Sequence, residues 1–285
     1  MNRNSLTRLT CALILLAHLC AAQDKPLIPV TCRQTSDALI TPRPSAQDAD
    51  EKTRLARADR SIITMDEPPN LGIARYRIAD YADRTDSSRC YWADLDAQTR
   101  RAQAELKRLV DSSKPGEQLA LVLDIDDTSL SSYCEEKRED FGYIRSMYEA
   151  WIASPDASIP IPGTLALFKQ ALAANVSVFF ITGRNGAKHT SNDQTEATAR
   201  NLKAAGYDGW AGLILRDESE LKMDTTLYKS TERAKLIKQG FRIILSVGDQ
   251  WSDLNDPPKT GDNAKRPTSR AAVSVKLPNP FYYLP

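Results

Sequence analysis

The sequence predicts an α/β fold of three layers, with helices on both sides of a largely parallel sheet and a helical extension at its N-terminal side. Two observations carry that class: continuous apolar runs alternate with helical stretches, and the longest runs end in polar residues. Composition agrees with one sizeable soluble core, at 41% hydrophobic and 26% charged residues in 285.

The runs follow in order. Leu119 to Leu123 ends at Asp124, and Val176 to Ile181 ends at Thr182. Gly212 to Leu215 is shorter, Phe241 to Val247 ends in Gly248-Asp249, and Val273 to Val275 adds another candidate strand. Unbroken apolar runs suit strands buried on both faces, as in a parallel sheet. Helical spacing appears at 71–81, 93–110, 164–173, 188–205 and 229–239. In open α/β sheets the ligand site lies at the carboxyl ends of the strands. Asp124, Thr182 and Asp249 are therefore expected to converge.

The N-terminus reads as a signal peptide over residues 1–22. Arg3 and Arg8 precede the apolar run Cys11 to Ala17, and Cys20-Ala21-Ala22 supplies small residues before Gln23. The run is short for a bilayer span, so no stable membrane anchor is expected. Leu19 before Cys20 argues against lipidation. Residues 23–65, rich in Pro, Asp, Ser, Thr and Arg, read as a flexible leader, with the domain at 66–285. The expected location is secreted or periplasmic. An oxidising compartment allows one disulfide among Cys32, Cys90 and Cys134, and spacing does not select the pair. Removing residues 1–22 deletes two arginines and no acid, which moves the formal charge from +1 to −1. No basic cluster points to nucleic acid.

Four constellations carry chemistry. Asp124-Ile125-Asp126-Asp127-Thr128 follows a buried run, and alternation sends Asp124 and Asp126 to one side. One carboxylate can attack phosphorus and a second can serve as acid and base. Thr182-Gly183-Arg184 offers a hydroxyl and free backbone N–H groups to phosphoryl oxygens. Lys229, expected at a helix start, can offset the repulsion between a carboxylate nucleophile and a phosphate. Gly248-Asp249-Gln250-Trp251-Ser252-Asp253 supplies hard oxygen ligands suited to magnesium.

Counting removes competitors. The two histidines, His18 and His189, cannot support a phosphohistidine pair, and His18 leaves with the signal peptide. No arginine loop follows a cysteine, and no Gly-x-x-x-x-Gly-Lys-Ser/Thr loop is present.

In order, spacing and setting, these motifs resemble the haloacid dehalogenase superfamily. In detail they resemble its acid phosphatase subfamily, which includes bacterial class B-type acid phosphatases and plant vegetative storage proteins. Arg233 and the tail Lys276 to Tyr283 are also similar to that group. The resemblance covers roughly residues 70–285. It implies a Rossmann-like sheet with a small lid at about 129–162, and a magnesium-dependent phosphatase acting on a small-molecule phosphate ester. Asp124 would be the nucleophile and Asp126 the acid/base. Thr182 and Gly183, with Arg184, would bind the phosphoryl group, and Lys229 would clamp it. Asp124, the Asp126 carbonyl, Asp249 and Asp253 would hold the metal. Asp127 stands where many relatives have Glu. Phe141, Tyr143, Tyr148 and Trp151 fall in the lid, either stacking on substrate or forming the lid's own core. The same scaffold also serves non-catalytic storage or binding proteins, and phosphoryl transfer to an alcohol.

Overall fold

Strand β1 (Gln118–Leu123) is apolar on both sides because both its faces are covered. Leu119, Leu121 and Leu123 enter one hydrophobic cluster, and Ala120 and Val122 enter a second cluster on the opposite face. This is period-2 alternation read by two cores rather than by core and solvent. Each fully buried leucine contributes roughly 1.5–3 kcal/mol relative to exposure. The computed structural model describes residues 45–61, 63, 65, 68–83, 90–188, 190 and 192–284. The signal peptide, most of the leader, Cys32 and His189 lie outside the described residues.

β1 is central in a five-stranded sheet of order β3-β2-β1-β4-β5. The other strands are β2 (Ser177–Asn185), β3 (Gly212–Arg216), β4 (Phe241–Gly248) and β5 (Val273–Lys276). All four pairings are parallel. Chain order reverses direction at β1, so the crevice at its carboxyl end lies between β2 and β4.

Two helices begin the described chain, α1 (Ala46–Ala58) and α2 (Leu71–Asp83). Helix α1 falls in the stretch read as a leader. Ser45 caps it by accepting from the Asp48 N–H, and the Ala46 N–H donates to Asp80 on α2 at 2.8 Å. Its helicity is fixed by the cap and by this docking, including the Arg77–Asp50 pair at 2.8 Å, rather than by an apolar stripe.

Helix α3 (Tyr91–Asp111) packs Leu95, Ala102, Leu106 and Leu109 into the larger cluster. Between β1 and the sheet's first crossover helix come α4 (Tyr133–Arg138), α5 (Arg145–Ala153) and a 3-10 turn. Helix α6 (Pro162–Ala173) then starts at a proline, whose fixed φ suits a first helical turn. Helix α7 (Thr195–Ala204) begins later than spacing predicts. Just before it, the Gln194 N–H donates to the Asn185 carbonyl at 2.8 Å and the Asn185 N–H to the Gln194 side chain at 3.1 Å.

Helix α8 (Thr225–Lys238) covers the second face with Tyr228 and Leu236. It begins before Lys229, because Asp224 caps it by accepting from the Leu227 N–H at 2.9 Å. Lys229 is thus one turn inside the helix, not at its start. Among the described residues no helix is long and apolar enough to cross a membrane.

Candidate active site

Asp124 leaves β1 with its N–H still donating to the Val247 carbonyl at 3.1 Å, so the ladder to β4 holds its backbone. The chain then folds into a tight loop. The N–H groups of Thr128, Ser129 and Leu130 all donate to the Ile125 carbonyl, at 3.2, 2.8 and 2.9 Å. Asp127 takes the left-handed conformation at φ 53°, which short acidic side chains tolerate. Its carboxylate accepts from the Ser132 N–H at 2.9 Å and hydroxyl at 2.5 Å. Asp127 therefore ties the loop after β1 to the start of α4. Burial is the main reason its carboxyl is pushed up to about 6.

The Asp124 carboxylate is 2.6 Å from the Lys229 ammonium, which also pairs with Asp253. All three side chains are almost fully buried. Burial pushes the Asp124 carboxyl well above its usual range; Lys229 opposes this, and Asp253, Asp249 and Asp126 add to it. Burial works against the Lys229 charge, but Asp124 and Asp253 outweigh it and hold the ammonium protonated.

Asp249 follows β4. One carboxylate oxygen accepts from the Thr128 hydroxyl at 3.1 Å; the other accepts from the Gln250 and Asn279 amides, each at 2.7 Å. Burial raises it to about 7, with Asp253 and Asp127 adding to the rise. Asp253 caps the short turn Trp251–Asp253 by accepting from the Gln250 N–H at 2.8 Å. Gly248 is required here, since a Cβ would collide with the Asp253 side chain. Arg233, buried under the turn, donates to the Asp253 carbonyl at 2.6 Å and to the Asn255 carbonyl at 2.5 Å. Asp124, Asp249 and Asp253 can each point one oxygen into a common space, with those atoms within 4.8 Å of one another. The Asp126 side chain is not part of that group.

Asp126 instead pairs with Arg184. The guanidinium makes two hydrogen bonds to its carboxylate, at 2.7 and 3.1 Å, and a third to the Thr198 hydroxyl at 3.0 Å. The sequence reading put Arg184 with the phosphoryl-binding residues; its side chain is spent on Asp126. Pairing of β2 with β3 shifts register between Ile181 and Asn185, so Thr182 and Gly183 stand out of the ladder. Thr182 is sealed, whereas Gly183 is exposed beside it. Lysine cannot reproduce a two-point grip on a carboxylate. Arg184→Lys is expected to lower kcat about tenfold while KM moves little, as for a positioning residue; steady-state kinetics on one ester checks this.

The aromatics of the segment expected to form a lid pack on each other and on the tail. Phe141 stacks on Phe281 at 5.9 Å and 15°, while Tyr148 lies 5.7 Å from Tyr143 and 5.5 Å from Trp151. Cys134 is disulfide-bonded and Cys90 is a buried free thiol.

Sequence reasoning did not single out Thr128, Gln250 or Asn279 as holders of Asp249. Asn279 lay within the tail that carried the resemblance, but nothing local told which carboxylate it serves.

A five-stranded parallel α/β domain gathers three buried acids and a helix-borne lysine beyond the carboxyl end of its central strand. The model of the haloacid dehalogenase superfamily, subfamily IIIB (acid phosphatase), matches residues 55–285, and the chain belongs to that family. Acid phosphatase 1 of Solanum lycopersicum is 31% identical over 209 residues, 72% of this chain and 74% of its own length. The stem 31 kDa glycoprotein of Glycine max is 34% identical over 166 residues, covering 57% of this chain. The match spans only 59% of that relative's length. The fold is also that of a class C acid phosphatase from Bacillus anthracis, solved with tungstate bound. The TM-score is 0.53 at 19% identity, over 75% of this chain and 86% of that one.

Proposed function

We propose that the chain is an exported acid phosphatase that hydrolyses phosphate monoesters through a phosphoaspartate on Asp124, with magnesium. The observation that carries the reading is the buried Lys229 ammonium 2.6 Å from the Asp124 carboxylate, at the carboxyl end of the central strand. An anionic nucleophile and an anionic substrate repel, and a fixed cation between them lowers that cost.

An Asp124 oxygen attacks phosphorus, and the bond from phosphorus to the ester oxygen breaks. Asp126, held by Arg184, gives its proton to the departing oxygen. It then takes a proton from the water that attacks the phosphoaspartate, and the bond to Asp124 breaks to release phosphate. Thr182 and the Gly183 N–H receive phosphoryl oxygens, and Lys229 offsets their charge. The donor set fits a divalent cation: three buried carboxylates offer oxygens within 4.8 Å, the hard ligands that magnesium takes. Asp124, Asp249 and the Asp126 carbonyl would hold it, with Asp253 supporting, and the ion would supply positive charge to the phosphoryl oxygens. Export is supported by the N-terminal pattern and by the disulfide at Cys134.

The test is release of phosphate from an aryl phosphate by purified protein, before and after chelation. Activity that is lost with chelator and restored by magnesium supports the reading; activity unaffected by chelation removes the metal from it. The acids make a further prediction. Asp127 and Asp249 rise to about 6 and about 7 in the fold. Between the ordinary carboxylate range and those values the folded state holds more protons than the unfolded one. Stability therefore falls as pH rises through that window. Metal binding at Asp249 would release its proton. The metal-free protein is expected to melt lower at pH 8 than at pH 5, and magnesium to raise the melting temperature more at pH 8. Equal magnesium shifts at the two pH values would count against the acidic cluster as the metal site.

A further inference from the structure

The tail from Leu277 to Leu284 has no step in that mechanism, yet it is fastened across the turn that carries Asp249. It begins against β4, where the Leu277 N–H donates to the Gly248 carbonyl at 2.8 Å. Phe281 is buried among rings, its centroid 4.9 Å from that of Tyr91 and 5.6 Å from that of Tyr133. The Phe281 N–H donates to Oδ1 of Asn279 at 2.8 Å, and the Leu284 N–H donates to Oε1 of Gln250 at 3.3 Å. A side-chain amide has one acceptor end and one donor end. The tail takes the acceptor end of both amides, so both turn their NH2 groups to Asp249. There they meet the same oxygen, Oδ2, each at 2.7 Å.

An ionised carboxylate offers about four lone-pair sites, shared equally by its oxygens. The two amides fill those of Oδ2, and the Thr128 hydroxyl takes one on Oδ1 at 3.1 Å. Among the described residues no other group donates to Asp249. A single site, on Oδ1, is left over. Held this way, Asp249 meets a cation through one oxygen and not through both.

We propose that Asn279, seated by the tail, makes the site select magnesium over calcium by keeping Asp249 a one-point ligand. The inference rests on the magnesium-dependent reading above, in which Asp249 holds the ion. Magnesium demands near-ideal octahedral geometry, whereas calcium takes about six to eight oxygens and accepts a carboxylate through both of its own. An Asp249 with Oδ2 released would suit the larger ion. Asn279 is a positioning residue, acting through Asp249. Removing a partner that orients a metal ligand typically changes metal affinity about 10–100-fold. Selectivity of this kind comes from what the site withholds from the wrong ion.

The experiment titrates the purified protein, without substrate and at one pH, with magnesium chloride and separately with calcium chloride. The heat of binding gives two dissociation constants, and their ratio is the readout. The wild type is expected to bind magnesium more tightly. In Asn279→Ala the ratio is expected to move about tenfold toward calcium. Gln250→Ala removes the other donor to Oδ2 and is expected to move the ratio the same way. Melting temperatures without metal establish that the variants are folded. General damage to the fold would weaken both ions together and leave the ratio where it was. A ratio unchanged in the two variants overturns the inference, as does a wild type that binds calcium as tightly as magnesium. A wild type that binds neither ion overturns the magnesium reading beneath it.

Discussion

Asp124→Asn is expected to abolish turnover, with kcat falling about a thousandfold or more, because the amide cannot form the acyl phosphate. The fold is expected to survive and even to gain stability without metal. Asp124 sits among Asp126, Asp249 and Asp253, and burial together with these acids disfavours its charge. Among the described residues, Lys229 opposes them at contact distance, 2.6 Å away. The amide keeps the shape, removes one buried negative charge and leaves Lys229 paired with Asp253. Activity and melting temperature should therefore move in opposite directions. Phosphate release and thermal melting on one preparation test both. Activity within about tenfold of wild type would place the nucleophile elsewhere. A collapse in melting temperature would mean that the carboxylate is needed for the fold, against the electrostatic argument.

The sheet was legible in the sequence because each strand advertises itself locally. Leu119 to Leu123 needs no distant information to read as a strand buried on both faces. The ends of runs likewise placed Asp124 and Asp249 together, since parallel strands share one carboxyl edge. What was not legible depends on chain separation. Lys229 reaches Asp124 across 105 positions, and Arg184 reaches Asp126 across 58. The first pairing was anticipated from the chemistry of charge repulsion. The second was not, because a Thr-Gly-Arg turn looks the same whether its guanidinium grips substrate or an acid. Helix α1 escaped notice because its signal is a cap and a few ion pairs, not an apolar period. Helix α8 was started late because the cap at Asp224 precedes the apolar residues that periodicity detects. In the lid, ring spacing alone did not tell packing from stacking on a ligand. The contact of Phe141 with Phe281, 140 positions further along the chain, favours packing for that ring.

Lys229→Met separates the lysine's two jobs. The methionine fills much of the space but leaves Asp124 and Asp253 facing each other without a cation. Removing one partner from a buried pair typically costs about 3–5 kcal/mol. The neighbouring carboxyls can take up protons, which softens the loss at low pH and leaves it full at high pH. Turnover is expected to fall about a hundredfold to a thousandfold, the range seen when a preorganised charge is taken from a transition state. Stability and catalysis can then be told apart by a second change. Lys229→Met with Asp253→Asn removes one of the two stranded charges. The double variant should recover much of the melting temperature lost by the single one, because residues in one charge network are not additive. It should not recover turnover, because the charge that met the phosphoryl group is still missing. Recovery of both would make Lys229 a structural counter-ion only, and the clamp would have to be assigned to another cation. Recovery of neither would mean that Asp253 holds the turn above Gly248 through its own contact with the Gln250 N–H, independently of the lysine.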